Sequence, residues 1–300
     1  MNPVRDTKIQ VLSGKTNIEE IYIVSNGMKR ILFIILFLGF FSPIFLVQAR
    51  TPIKILIVPG HDNEVWGSQY GNTKEADMTL ALGARIFNLL KKDKNFEVHI
   101  TRDSLGYTTE FADYFLTSQA DIVAFRKNAK LLRENNIQNG TFIKKENTVP
   151  HNMVSESVAM NLYGINKWAN DNKMDFVLHI HFNDYPRPNK WTKGKYKGFS
   201  IYMPDEQMVN SGESVKLAQN IFTELKKKYA VSTYEKEQGG LIPDQSLIAL
   251  GSNGTLDASV RSVLVEYGYI YRFGNSNMRR SSYTSMAQLT VQGIKNYFFK

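Results

Sequence analysis

Short apolar runs alternate with stretches of helical periodicity from residue 52 onward, and this alternation limits the fold more than any other feature. The runs that predict strands are 53–58, 96–101, 175–181, 198–203 and 260–268. Apolar residues recur at helical spacing in 80–90, 157–170, 215–225 and 285–298. The pattern predicts an α/β domain with a mostly parallel sheet covered by helices on both faces. Since such sheets bind ligands beyond the carboxyl ends of their strands, polar residues there are the first functional candidates.

Residues 28–49 form the sharpest change of composition in the chain. Two basic residues, an apolar centre and a small-residue ending predict a cleavable secretory signal. The apolar run 31–47 would span roughly 25 Å as a helix, so an uncleaved membrane anchor is the alternative, and membrane contact is expected only in that case. Either interpretation exports the following residues to the cell envelope or beyond. Residues 1–27, polar and aperiodic, precede Met28 and are interpreted as a mis-annotated start or a short cytoplasmic tail.

The chain contains no cysteine, which excludes disulfides and thiolate metal sites. Any zinc must therefore be held by imidazole and carboxylate groups. The formal net charge of +9 suits an anionic partner such as a cell envelope. Nucleic acid is not expected as a partner, because the basic residues are scattered apart from the cluster 226–228 near a predicted helix end.

Two functional candidates lie around the first predicted turn. His61 directly follows strand 53–58, after Pro59 and Gly60 have turned the chain. Glu75 lies in the first turn of the next helix, where acidic residues are also common for helix-dipole reasons. Either residue alone fits an ordinary surface position. It therefore indicates a functional site only in combination with the residues at the other strand ends.

The third predicted strand carries two imidazoles on one face. Side chains alternate across a strand, so His179 and His181 point the same way. His181 is the better metal ligand because it lies at the strand's end, close to Asn183, which is a candidate for holding substrate or the following loop. His179, one pleat deeper, either orients His181 or is a buried core histidine. The other histidines, His99 in a strand and His151 in a loop, predict no function.

Glu266 ends the continuous β-branched run of the last predicted strand. A carboxylate in line with a buried strand is costly unless it is paired or functional. Burial would raise its pKa toward the range in which a carboxyl group can accept and donate a proton near neutrality. The alternative is a structural ion pair with Arg85 or Arg261.

The ordered set of motifs resembles the zinc-dependent N-acetylmuramoyl-L-alanine amidases of the type 3 class. Each motif is weak alone, and the order is what makes the resemblance specific over residues 53–270. The motifs that carry it are PGH at 59–61, the helix that contains Glu75, TRD at 101–103, HIHFN at 179–183 and LVEYGY at 264–269.

This resemblance implies a twisted, mostly parallel sheet of about six strands with helices on both faces. It also implies that His61, Glu75 and His181 bind one zinc ion per chain and that Glu266 is the catalytic glutamate. The implied reaction is hydrolysis of the amide between N-acetylmuramic acid and L-alanine in peptidoglycan, by a zinc-activated water.

The chain departs from the family pattern at several positions within the predicted catalytic region, 50–300. Val58 and Asp62 stand where the family usually has an acidic residue and a glycine. The stretch before the HIHFN motif is also longer than in the family, which predicts an insertion at about 104–155. An insertion there would recognise substrate, cover the site or decorate the surface.

Two other functions stay open on the sequence alone. One is a different zinc metallohydrolase that uses the His179 and His181 pair as joint ligands. The other is an inactive envelope-binding module on the same fold. Protein regulators are not predictable from the sequence.

Overall fold

The computed structural model describes residues 51–146, 149–151 and 153–300. The interpretations of 1–27 and 28–49 as an extension and an export segment lie outside the described residues. None of the helices in the described ranges combines the length and the apolar character that a bilayer span requires.

A six-stranded sheet forms the centre of the described chain. Its strands are β1 (Ile53–Pro59), β2 (Phe96–Ile100), β3 (Phe176–Asn183), β4 (Ser200–Pro204), β5 (Leu241–Asp244) and β6 (Arg261–Tyr269). The spatial order is β2, β1, β3, β6, β4, β5, and only the pairing of β6 with β4 is antiparallel. This mixed, mostly parallel sheet confirms the predicted fold class.

The five strands predicted from apolar runs all form, with ends that differ by at most two residues. The sequence missed β5, which has four residues and contains Pro243. Because β5 lies at the edge of the sheet, a residue without a backbone N–H is tolerated there. A short strand that contains proline gives little signal in the sequence.

Six α-helices flank the sheet in the described ranges. They are α1 (Glu75–Lys91), α2 (Thr109–Thr117), α3 (Gln119–Gln138), α4 (Glu156–Asp171), α5 (Ser211–Lys226) and α6 (Ser276–Phe299). Helices α1, α5 and α6 cover one face of the sheet, while α2 and α4 cover the other, with α3 packed against α4. The layering is therefore helices, sheet and helices, as the alternating pattern predicts.

The strands at the centre bury both of their faces. Ile57 and Leu178 belong to the larger core cluster under α1, α5 and α6. Their neighbours Leu56 and Val177 point the other way, into the cluster that contains Trp168 of α4. Since β1, β3 and β6 run parallel, their carboxyl ends meet at one edge of the sheet, where the predicted site residues lie.

Candidate metal centre and groove

Three of the predicted site residues meet at the carboxyl edge of β1 and β3. His61 follows β1, Glu75 begins α1, and His181 lies near the end of β3. Each offers one ligand atom, and the three atoms lie within 4.8 Å of one another. His61 Nε2 is 3.2 Å from Glu75 Oε2, and His181 Nδ1 is 3.1 Å from Glu75 Oε1.

These distances fit a tetrahedral zinc site. Ligand atoms about 2.0–2.1 Å from a tetrahedral ion lie roughly 3.3 Å from each other, and each imidazole lies close to that distance from one of the two oxygens of the Glu75 carboxylate. Two imidazoles and one carboxylate are also a donor set that zinc accepts, and three protein ligands leave one position for a water or substrate. The group formed by His61, Glu75 and His181 therefore fits a metal site.

Glu75 is the central member of this group. Its carboxylate is almost fully buried. It accepts hydrogen bonds from the backbone N–H groups of Ser68, at 2.9 Å, and Phe182, at 3.1 Å. Burial opposes ionisation of Glu75, but the hydrogen bonds from His181 and His61 outweigh it and hold the pKa of the carboxyl well below its usual range. Glu75 is thus ionised at neutral pH, as a carboxylate that binds a metal must be.

Two glycines allow the ligands to approach so closely. A Cβ on Gly60 would lie 2.3 Å from His181 Cε1, and one on Gly67 would lie 2.4 Å from His61 Cδ2 and 2.6 Å from Glu75 Oε2. Gly67 also has a φ of +70°, which favours glycine. His61 itself adopts a φ of 62°, an uncommon backbone conformation of the kind that concentrates at functional sites.

Arg102 of the TRD motif ties the His61 loop to α1, a role that the sequence did not reveal. Its guanidinium is buried and donates hydrogen bonds to the carbonyl oxygens of Pro59, Gly60 and Ala76, at 3.2, 3.2 and 2.6 Å. A fourth bond goes to Thr79 Oγ1. Arg102 therefore fixes the turn that presents His61.

The two departures from the family pattern have local explanations in the fold. Val58 is buried and packs with the apolar cluster on the α4 side of the sheet. Asp62 Oδ1 accepts hydrogen bonds from the backbone N–H groups of Glu64 and Val65, which closes the loop after His61.

Glu266 lies directly opposite His181 where β6 pairs with β3. Its Oε2 atom is buried and has no hydrogen-bond partner among the described residues. Burial raises the pKa of Glu266 well above its usual value, and the negative charges of Glu75 and Glu237 raise it further. This is the direction of pKa shift expected of a carboxyl group that must both accept and donate a proton.

The structural alternative for Glu266, an ion pair with Arg85 or Arg261, is wrong. Arg85 donates to the Ala81 carbonyl oxygen of its own helix. Arg261 donates to the hydroxyl of Tyr297.

His179 lies outside the group formed by His61, Glu75 and His181. It is buried one pleat below His181, opposite Val58 on one side and Leu264 on the other. Its Nε2 atom has no partner among the described residues. Burial, and to a smaller extent the charge of His181, lowers the pKa of His179 to about 3, so its ring is neutral.

Asn183 donates a hydrogen bond to the carboxylate of Glu237, which the sequence did not identify as a site residue. Its Nδ2 donates to Glu237 Oε1 at 2.7 Å. Glu237 is fully buried and also accepts hydrogen bonds from the hydroxyls of Tyr202, at 2.7 Å, and Tyr269, at 3.2 Å. By sequence Glu237 is one acid of an ordinary EKE run, and only the tertiary contacts distinguish it.

These residues line one open groove with a volume of about 1160 Å³. His61, Glu75, His181 and Glu266 lie on its wall together with Asn183 and Glu237. His151, which the sequence placed in a loop and to which it gave no function, also lines the groove. A long polar substrate could lie across the metal-binding group in this groove.

Comparisons with known proteins agree with this architecture. A family model described as N-acetylmuramoyl-L-alanine amidase (Amidase_3) matches residues 55–296. No curated protein matches the chain.

Solved structures of three amidases are similar in fold. The CwlD amidase from Clostridioides difficile, in complex with the GerS lipoprotein, is 18% identical with a TM-score of 0.51, over 82% of this chain and 98% of that one. AmiC2 of Nostoc punctiforme is 17% identical with a TM-score of 0.50, over 83% and 98%. Ami1 from Mycobacterium abscessus, in its apo form, is 16% identical with a TM-score of 0.50, over 82% and 98%.

Proposed function

The chain belongs to the Amidase_3 family of N-acetylmuramoyl-L-alanine amidases, and from this premise we propose that His61, Glu75 and His181 hold one zinc ion and that Glu266 is the catalytic carboxylate. Membership in the family makes the protein a hydrolase that acts on peptidoglycan, at the amide between N-acetylmuramic acid and L-alanine. The observation that carries the residue assignment is the meeting of three ligand atoms within 4.8 Å, beside a carboxyl group that has no structural partner among the described residues.

Zinc bound by these three groups would supply Lewis-acid chemistry, which polarises the amide carbonyl and lowers the pKa of a water to about 7. Glu75 supplies the negative charge of the ligand set, and each of the two imidazoles supplies a nitrogen lone pair. Arg102 and Gly67 keep His61 in position.

Glu266 transfers a proton from the attacking water to the leaving nitrogen. As the water oxygen attacks the carbonyl carbon, the carboxylate of Glu266 takes a proton from that water. It then gives the proton to the nitrogen of L-alanine as the C–N bond breaks, so that the products are a free lactyl carboxylic acid and a peptide with a free amino terminus. A raised pKa suits Glu266 to both steps. It makes the carboxylate a better base toward the water, and it keeps the proton on the carboxyl group until the leaving nitrogen accepts it.

A metal and activity measurement on one variant tests this assignment. We expect Glu266→Gln to retain about one zinc per chain and to lose activity on purified peptidoglycan by about 100-fold or more. Mass spectrometry of the released material detects the free peptides that begin with L-alanine. Glu235→Gln is the matched control, because Glu235 lines the same groove but bonds to the hydroxyl of Tyr196. Wild-type activity in Glu266→Gln, or a wild-type protein that binds no metal, would refute the assignment.

A cell-wall amidase acts outside the cytoplasm, so the family implies export to the envelope. We assign that export to residues 28–49 as a signal, with retention as a membrane anchor as the alternative. The catalytic domain then comprises 50–300 and contains the insertion at 104–155. Amino-terminal sequencing of the exported protein decides between cleavage after Ala49 and retention.

A further inference from the structure

The segment that follows α3 crosses the carboxyl ends of β4 and β5. We call its described residues, 141–146 and 149–151, the strap. The backbone of Ile143 exchanges hydrogen bonds with the Gln207 side chain, at 2.8 and 3.1 Å. The side chain of Gln245 bonds to the backbone of both Ile143 and Lys145, at 3.1 Å each. Lys145 also forms an ion pair with Asp205 at 3.2 Å. The strap is therefore docked on the loops after β4 and β5.

His151 ends the strap and is held by a buried carboxylate. His151 Nε2 lies 2.7 Å from Asp244 Oδ2, and Asp244 is 2% exposed. The other oxygen of Asp244 accepts hydrogen bonds from the backbone N–H groups of Ser246 and Leu247, at 2.7 and 2.9 Å. Burial disfavours the charged form of Asp244, but the hydrogen bond and charge of His151 outweigh it and lower the pKa, so Asp244 stays ionised. The imidazole is thereby fixed in one orientation.

The fixed imidazole faces the substrate groove. Its side chain is 24% exposed there, and its ring packs against the ring of Tyr202 with 5.6 Å between centroids. No described residue bonds to its Nδ1 atom. Asp244 thus holds one ring nitrogen, and the other stays available to a ligand in the groove.

His151 lies at a distance from the reacting centre that suits the peptide part of the substrate. Tyr202 pairs with Leu264, two residues before Glu266 on the neighbouring strand. Three lengths set the separation: the distance between paired strands, the rise of two residues along a strand, and the contact between the rings of His151 and Tyr202. Combined, they place His151 on the order of 10 Å from Glu266. An extended peptide covers that distance in about three residues. Any stem peptide that extends beyond L-alanine carries at least its terminal carboxylate in that part.

We propose that His151 is a substrate-binding residue: with Nε2–H donating to Asp244, its ring in the doubly protonated form donates a second hydrogen bond from Nδ1–H to a stem-peptide carboxylate beyond L-alanine, and Asp244 is its positioning residue. The proposal rests on the proposed amidase function and deepens it. It makes the strap, within segment 104–155, a wall of the substrate groove. The metal-binding group then determines which bond is cleaved, and the strap determines which stem peptides are bound.

Two soluble substrates test the proposal on the full chain. One is N-acetylmuramoyl-L-alanine, and the other carries the complete stem peptide. We expect His151→Ala to lower kcat/KM for the complete substrate by roughly 10- to 100-fold, mostly through KM, because a charge-assisted hydrogen bond is lost. Cleavage of the short substrate should stay within about twofold of wild type. Asp244→Asn should show the same selective defect, and His151→Gln, which keeps a side-chain N–H donor, should recover part of it.

A matched control separates recognition from folding. His99→Ala removes another partly exposed histidine held by carboxylates, those of Glu97 and Glu110, on a strand away from the groove. We expect it to leave both substrates unaffected. If His151→Ala and His151→Gln impair both substrates equally, or impair neither, the proposal is overturned while the amidase assignment stands. A wild-type protein that cleaves neither substrate overturns the amidase assignment, and the proposal with it.

Discussion

Gly67 offers the sharpest test of how the fold holds its metal ligands. A Cβ at this position would lie 2.4 Å from His61 Cδ2 and 2.6 Å from Glu75 Oε2. Ordinary contact needs about 3.4 Å or more between such atoms, so Gly67→Ala must displace one ligand by close to 1 Å. Displacement on this scale weakens a metal site by roughly 10- to 100-fold. The expected loss in binding free energy is about 1.4–2.7 kcal/mol.

The same substitution also carries a backbone cost, which a second glycine isolates. Gly254 has the same φ of +70°, and a Cβ there would meet nothing within 4 Å. An alanine at either position should therefore lower the free energy of unfolding by about 1 kcal/mol through backbone strain alone. Only Gly67→Ala should weaken metal binding as well.

Competition of the metal-loaded protein against a chromophoric chelator measures the affinity, and urea denaturation of the metal-free protein measures the stability. We expect Gly254→Ala to bind zinc as the wild type does. Equal zinc affinity in Gly67→Ala and Gly254→Ala would refute the reasoning, because the close approach of Gly67 would then not constrain the ligands.

Two further predictions concern buried polar groups. Arg102→Met should lower the free energy of unfolding by about 3 kcal/mol or more, since the carbonyl oxygens of Pro59, Gly60 and Ala76 lose a buried donor; a change below about 1 kcal/mol in urea denaturation would contradict this. His179→Leu should keep one zinc per chain, and loss of the metal would instead favour a metallohydrolase that uses His179 as a ligand. Because burial lowers the pKa of His179 to about 3, the unfolded state binds more protons between pH 6.5 and 3, and wild-type stability falls as the pH is lowered through that window. Denaturation of the metal-free proteins at pH 7 and 5 should show a smaller fall in the variant.

The sequence predicted the fold class and the proximity of His61 and His181 for the same physical reason. Parallel strands bring their carboxyl ends to one edge of a sheet, so the residue pattern alone predicts that His61 and His181 lie close together. The alternation of side chains also put His179 and His181 on one face. The order of strands could not be predicted in this way, and the pairing that sets Glu266 opposite His181 follows from that order.

The residues that sequence reasoning missed are polar groups whose roles depend on distant contacts. Arg102 is one of many basic residues until its bonds to the His61 loop are seen. Glu237 lies in a 3-10 helix of three residues and His151 lies in a loop, and their partners Asn183 and Asp244 are more than 50 residues away in the chain. No local pattern encodes such pairs, because propensity and periodicity report only on neighbours within a turn or a strand.

The positions of the ligands along the chain bear on how such a protein can change over time. Glu75 and His181 are separated by roughly a hundred residues, and segment 104–155 lies wholly inside that interval. Doubling the length of a closed loop costs only about 0.6 kcal/mol in chain entropy. The strands of the sheet and Arg102 lie outside segment 104–155, so that segment can lengthen, shorten or acquire new side chains while the metal centre keeps its geometry. The chain thus separates a part that must stay constant from a part that is free to diversify, and the strap belongs to the second.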